Sequence, residues 1–428
     1  MQKTSRRKFT KFLGASGAIA ASSSLFGPLA YAQGKGRVVV VGGGAGGATV
    51  AHLLKRSAPN LEVTLVEANP QYTSCFFSNL FLGGFRSFES ITHGYDGLTK
   101  LGVKVIHDFA TDVDADKKTV SLQSGDTLPY DKLVLSPGID FKYNSIEGYS
   151  AETAATMPHA WKAGEQTKIL KSQLEAMEPG GTVVMAAPPN PFRCPPGPYE
   201  RACMIAHHLK NKKPGSRLVI FDPKPKFSKM ALFQEGWQSH YSDIVEWVPP
   251  DMTDGGVKRV DPKTMTVYTG DGKATKAAVA NIIPAQKAGA IAEKAGCVKD
   301  DWCPINSADF SSVLVKDVYV LGDASVAAAM PKSAFSANNQ AKSVTNAVLA
   351  ALAAKKKFPA RYRNTCWSLI SPDNGVKVGA SYKPGKKNVE ATETFISKTG
   401  EDLTLRTATF KESLGWYDAI TTEMFAKG

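Results

Sequence analysis

The strongest constraint on this chain is Val38-Val-Val-Val-Gly42-Gly-Gly44-Ala-Gly-Gly47, an apolar β-branched strand running into a glycine turn and then a helical segment over 48–55. Gly42 permits the tight turn and Gly44 lets a backbone approach a pyrophosphate. Gly47 lets the helix pack closely on the strand, so that phosphate oxygens meet the helix N-terminus. The next strand, Leu61-Glu-Val-Thr-Leu-Val-Glu67, ends in an acid twenty residues after Gly47, where a carboxylate grips a ribose hydroxyl. The spacing predicts a parallel α/β unit that binds a dinucleotide.

The 428 residues are too many for one core and imply two or three domains. Of the net charge of +13, five positive residues (Lys3, Arg6, Arg7, Lys8 and Lys11) fall in an N-terminal stretch without acids. The remainder carries 47 basic and 39 acidic residues, a net +8. That excess suits an anionic substrate or an acidic protein partner and is too dilute to point to nucleic acid. Ser5-Arg6-Arg7-Lys8-Phe9, a weakly apolar run from Phe12 to Leu29, and Ala30-Tyr-Ala32 resemble a twin-arginine export signal over residues 1–32. The expected location is the periplasm, with no membrane span in the mature chain.

Further along, Val103–Ile106 reads as a strand, and Thr119–Leu122 and Lys132–Leu135 read as strands around the turn Ser124-Gly-Asp126. Ser136-Pro-Gly138 follows, and much later Val318-Tyr-Val-Leu-Gly322-Asp323 precedes a helix over 333–354. Together these stretches resemble the flavoproteins with two dinucleotide-binding domains, which implies FAD as cofactor and contacts to it from Gly322 and Asp323. The implied fold is α/β, with two Rossmann-like domains of the FAD/NAD-linked reductase type and a smaller C-terminal α+β domain. The FAD domain is expected to be discontinuous, residues 35–150 and 290–350, around a second Rossmann-like domain at 151–289. Residues 355–428 form the C-terminal unit. In the second domain, Thr182–Ala186 and Arg217–Asp222 read as strands and 199–210 as the helix between them. Where a pyrophosphate turn belongs stands Ala187-Pro-Pro-Asn-Pro-Phe-Arg-Cys194-Pro-Pro-Gly-Pro198, whose prolines lack backbone donors. The NAD fingerprint is missing, so electrons are not expected from a pyridine nucleotide.

Five stretches carry a closer resemblance. They are Tyr72-Thr-Ser-Cys75-Phe-Phe-Ser-Asn79, His159-Ala-Trp-Lys-Ala-Gly-Glu-Gln166, Pro191-Phe-Arg-Cys194-Pro-Pro-Gly-Pro-Tyr-Glu200-Arg201, Gly322-Asp-Ala with Met330-Pro-Lys332-Ser, and Asn364-Thr-Cys366. The mature chain resembles the flavoprotein subunit of flavocytochrome c sulfide dehydrogenase and, more distantly, sulfide:quinone oxidoreductase. Ser74 departs from the plainer Tyr-Thr-Cys of that pattern. The resemblance implies that Cys75 bonds the flavin covalently, that Lys332 belongs to the cofactor site, and that Cys194 and Cys366 form a redox-active disulfide opened by sulfide. Glu200 then handles protons; on its own terms it is equally a first-turn carboxylate facing the helix dipole. The alternative reading of Cys75 on its own terms is a free buried thiol. Cys203 reads as core, and Cys297 and Cys303 are either separate thiols or a small structural bridge. No metal site is expected, and His159, His207 and His208 read as structural. Lacking a Cys-x-x-Cys-His haem sequence, the chain is expected to pass its electrons to a separate c-type cytochrome subunit. The competing readings are a sulfide:quinone oxidoreductase and a non-catalytic flavin-binding electron-transfer partner. In the last segment Leu414, Tyr417, Ile420 and Met424 share one helical face, read as core or subunit contact.

Overall fold

A computed structural model describes residues 36–353 and 356–427; the export-signal stretch lies outside the described residues. The first sheet is five-stranded and parallel, in the spatial order Val318–Val320, Lys132–Leu135, Arg37–Val41, Glu62–Val66 and Lys104–Ile106. Its inner strands are near-continuous apolar runs because both faces are covered, and Val38 to Val41 are all buried. Each such side chain stabilises the fold by roughly 1.5–3 kcal/mol. The helix Gly47–Ser57 packs on one face with Leu54 fully buried, and Lys55 and Arg56 complement the dipole in its last turn. The edge strand Val318–Val320 reaches this sheet from nearly two hundred residues downstream, so one sheet is assembled from two distant segments.

A second parallel sheet orders Val245–Val248, Arg217–Phe221, Thr182–Ala186 and Val279–Ile282, with the helix Gly197–Lys212 between its first two strands in chain order. The strand expected at Thr119–Leu122 does not pair with Lys132–Leu135. It lies in a separate antiparallel sheet between Ala110–Asp114 and Thr127–Pro129. The reason is burial: Leu133, Val134 and Leu135 are fully covered and take the sheet's interior, while Thr127 and Pro129 stay exposed across the Gly125 turn.

The C-terminal unit is an antiparallel sheet of Tyr362–Ser371, Asn374–Pro384 and Val389–Ile396, crossed by the helix Leu403–Phe425. Its first strand packs against both Gly197–Lys212 and the helix Ala334–Leu352, which ties the three units together at one point. The predicted stripe on the last helix is core: Tyr417, Ile420 and Met424 are buried, and Tyr417 Oη contacts His93 Nε2 at 2.9 Å. Among the described residues no helix is long and apolar enough to cross a membrane.

Candidate active site

Gly42 has φ of 99°, and a Cβ there would lie 2.3 Å from the Ser136 carbonyl oxygen; at Gly47 it would lie 1.9 Å from that of Gly42. Both positions admit only glycine, because backbone stands where a side chain would start. Gly44 differs. An added Cβ would meet nothing nearer than the Tyr72 ring at 3.5 Å, so its bareness serves whatever lies in the cavity in front of it. Glu67 also faces this space: its Oε2 accepts from the Gly43 amide at 2.7 Å, and its Oε1 accepts from Asn69 N at 3.0 Å.

The cavity measures about 240 Å³ and lies where the three units meet. Gly322 and Asp323 close it from the edge strand, and the Gly322 amide donates to Gln340 Oε1 at 2.7 Å. Asp323 Oδ2 is 3.8 Å from Arg193 Nη1, while its buried Oδ1 has no partner among the described residues. Burial raises the carboxyl's pKa, opposed by Arg193 and Lys332. Two indole nitrogens in the cavity wall, those of Trp161 and Trp367, are likewise buried and unpaired. A glycine cradle, the Glu67 carboxylate beside it and orphaned polar atoms fit a flavin dinucleotide.

Cys75, Cys194 and Cys366 all line this cavity, each half-buried and each a free thiol in the structure. Cys75 follows the short strand Gln71–Thr73, and its Sγ accepts from the Ala163 amide at 3.5 Å. Cys194 sits in a left-handed turn with φ of 58°, held by its amide's bond to the Lys332 carbonyl at 2.8 Å and by the Gly197 amide's bond to its own carbonyl at 2.8 Å. Gly197 is necessary here, since a Cβ would come within 2.9 Å of the Cys194 sulfur. Cys366 lies on the strand Tyr362–Ser371, where Asn364 Nδ2 donates to its sulfur at 3.3 Å. Asn364 Oδ1 in turn accepts from Ser333 Oγ at 2.6 Å, and Ser333 caps the helix Ala334–Leu352. Burial pushes both thiols up; the neighbouring Cys366 adds to the rise at Cys194, and Lys229 opposes the rise at both.

Glu200 enters from the first turn of Gly197–Lys212. Its Oε2 accepts from Asn79 Nδ2 at 2.8 Å and its Oε1 from the Leu369 amide at 3.0 Å, so it bridges the helix to the Cys366 strand. Burial raises its pKa, opposed by those hydrogen bonds, by Lys229 and by Arg201.

Lys332 departs from expectation. Its ammonium donates to the carbonyls of Asp323 at 2.7 Å and Ser325 at 2.8 Å and lies over the Trp302 ring, behind the cavity wall. Its backbone braces Cys194 while its charge is satisfied elsewhere. Cys297 and Cys303 are fully buried, unbridged thiols. Cys203 is core, and Trp237 Nε1 donates to it at 3.2 Å. His159 is buried, its pKa lowered to about 3 by desolvation, and it accepts from the Trp161 amide. The sequence reading missed Arg193, Arg201, Asn79 and Lys229. Arg201, 1 % exposed, donates to Asn79 Oδ1, Asn281 Oδ1 and the carbonyls of His159 and Ala160. Its place beside Glu200 on a buried helix face was the available signal.

Fold and cavity together define an FAD-binding flavoprotein built on the two-domain reductase plan. Family models agree: residues 36–176 match the pyridine nucleotide-disulphide oxidoreductases, 167–284 the central region of the sulfide dehydrogenase [flavocytochrome c] flavoprotein chain, and 358–425 the flavocytochrome c sulphide dehydrogenase flavin-binding region. The chain belongs to the flavocytochrome c sulfide dehydrogenase flavoprotein family, related to the sulfide:quinone oxidoreductases. It is 54% identical over 43 residues to the sulfide dehydrogenase [flavocytochrome c] flavoprotein chain of Chlorobaculum thiosulfatiphilum, 10% of this chain and 90% of that sequence. It is 31% identical over 179 residues to the sulfide-quinone reductase of Aquifex aeolicus, 41% of this chain and 40% of the relative, so the match spans about two-fifths of that protein's length. In solved structures the fold is similar to the Aquifex aeolicus sulfide:quinone oxidoreductase, with a TM-score of 0.69 at 20% identity over 92% of this chain and 93% of that one. Putidaredoxin reductase in its covalent putidaredoxin complex is similar with a TM-score of 0.65 at 17% identity, over 89% and 94%.

Proposed function

We propose that this protein oxidises sulfide in the periplasm through a Cys194–Cys366 disulfide and passes the electrons to a c-type cytochrome partner. The observation that carries the reading is convergence: Cys194 and Glu200 from one chain segment and Cys366 from another, distant one line the same cavity as Gly44, Glu67 and Asp323. Gly42, Gly44 and Gly47 form the pyrophosphate turn, Glu67 takes the ribose, Asp323 supplies its free oxygen, and Cys75 tethers the cofactor. Bound FAD supplies a two-electron acceptor for sulfur and a one-electron donor for a partner protein.

Hydrosulfide attacks one bridging sulfur; the S–S bond breaks as a new one forms, leaving a persulfide on one cysteine and a thiolate on the other. Arg193 and Lys229 make the cavity's surroundings favourable to that anion, and Glu200 takes or returns the proton of the attacking sulfur species. The prolines at 188, 189, 191, 195 and 196 occupy the position of a nicotinamide dinucleotide turn, which favours a sulfur donor over a pyridine nucleotide.

Anaerobic addition of sulfide tests the reading. Flavin bleaching is expected in the wild type and absent in Cys194→Ser and Cys366→Ser; normal bleaching in both variants removes the bridge from the mechanism. Flavin fluorescence that stays with the band on a denaturing gel, and is lost in Cys75→Ser, tests the tether.

A further inference from the structure

Lys229 is a buried cation with no carboxylate of its own. It is 5 % exposed, and its ammonium donates to the Cys366 carbonyl at 3.1 Å and to Ser368 Oγ at 2.8 Å. Among the described residues it forms no salt bridge. Two neutral acceptors do not offset the removal of an ammonium from water, so a fold that keeps one there has a further use for its charge. Its backbone is also left-handed, φ 62°, immediately before the helix Met230–His240, an uncommon conformation for lysine.

Side chains two apart on a strand share a face, and Cys366 and Ser368 sit in regular register opposite Val378 and Val376. The ammonium bonded to Ser368 Oγ and to the Cys366 carbonyl therefore stands on the side to which the Cys366 sulfur projects, about 6.6 Å or less along the strand from it. The titratable groups facing Lys229 are Cys366, Glu200, Cys194 and Cys203. Cys203 already accepts from Trp237, and Glu200 already accepts from Asn79 and Leu369, with Arg201 beside it. Cys194 has Arg193 as its own cation. Cys366 is the member of the group without another cation.

We propose that Lys229 is the fixed counter-charge for an anionic sulfur on Cys366, a positioning residue that eases opening of the bridge. The proposal rests on the reading that Cys194 and Cys366 form that bridge. In the step it serves, hydrosulfide attacks the Cys194 sulfur, a Cys194–sulfur bond forms, the Cys194–Cys366 bond breaks, and its electron pair stays on Cys366 as thiolate. The negative charge moves from hydrosulfide to Cys366 and no outside oxidant or reductant is needed. A leaving thiolate held beside an ammonium departs faster. Burial lowers the Lys229 pKa to about 8, with Cys366 the first group opposing that fall; burial raises the Cys366 thiol, with Lys229 among the groups opposing that rise, so the two titrations are coupled.

The test reads the thiol directly. In the holoprotein carrying Cys194→Ser, the pH profile of Cys366 alkylation by iodoacetamide is followed by peptide mass spectrometry, with Lys229 intact, as Lys229→Gln or as Lys229→Arg. Gln keeps a donor for the Cys366 carbonyl and removes the charge. The expected result is a midpoint at least one pH unit higher in Lys229→Gln, with about tenfold slower alkylation at pH 8, and its return in Lys229→Arg. A midpoint unmoved in folded Lys229→Gln overturns the proposal. The wild type offers a second readout that needs no stable charge-removing variant: by reciprocity, the 13C-lysine NMR resonance of Lys229, assigned with Lys229→Arg, must titrate at higher pH after the bridge is reduced. A midpoint indifferent to reduction equally overturns it. Neither readout uses sulfide-driven bleaching, so the failure of this proposal and the failure of the sulfide reading are separately visible.

Discussion

The two parallel sheets begin alike and end differently. After Arg37–Val41 the chain turns through glycines whose Cβ positions are filled by backbone, and the helix starts at once at Gly47. After Thr182–Ala186 the turn runs over residues 187–196, is rich in proline, and places Cys194 in a left-handed corner before the helix starts at Gly197. The first turn offers bare backbone amides to a phosphate. The second removes amides and offers a thiol, an arginine and, one turn into the helix, a carboxylate. A single scaffold thus brings the glycine turn and the Arg193, Cys194 and Glu200 of the proline turn onto one cavity, proposed above as a dinucleotide seat and a sulfur site.

Breaking the first turn has the largest expected effect. Gly47→Ala forces a methyl within 1.9 Å of the Gly42 oxygen, so strand and helix must separate. Loss of several kcal/mol of stability, on the scale of severe core substitutions, is expected, with purified protein showing little or no flavin absorbance per chain. Full flavin content in a soluble Gly47→Ala protein would mean the turn is looser than it stands. The second turn is sharpened by Glu200→Gln. Removing one general acid–base group costs on the order of 100-fold in rate, read as the rate of sulfide-driven bleaching. The pH profile carries the sign: burial raises the Glu200 pKa, so on acidification the carboxylate is protonated above the usual carboxylate range, and the wild-type rate falls there as the base form is lost. Glu200→Gln, with nothing to titrate, should show no such limb. An acid limb kept in the variant assigns the proton to another group.

How much could be read in the sequence follows the same division. The glycine turn was legible because its requirements are local: a strand, a tight corner and a helix start within ten residues. The apolar runs Thr182–Ala186 and Val318–Val320 were legible because strands buried on both faces leave little else possible. The strand at Thr119–Leu122 was paired wrongly because a hairpin turn fixes only a nearest partner, and Lys132–Leu135 is claimed by the parallel sheet instead. At the site, the roles of Cys194, Cys366 and Glu200 came from a resemblance, since no spacing rule joins Cys366 to a turn so far upstream. Lys332 was placed in the cofactor site from its motif, yet its charge turns to two carbonyls, a choice set by local packing around Trp302. Lys229 carried no signal at all: an isolated lysine before a helix looks like surface until tertiary contact with Cys366 buries it.

The central claim is that the proline turn carries a sulfur bridge where a nicotinamide seat would be. Digestion of the oxidised protein under alkylating, non-reducing conditions, followed by mass spectrometry, tests it most directly. The account predicts a linked pair of peptides containing Cys194 and Cys366 that disappears on anaerobic addition of sulfide and persists with NADH. Cys194 and Cys366 recovered as separately alkylated thiols from the oxidised protein would contradict it.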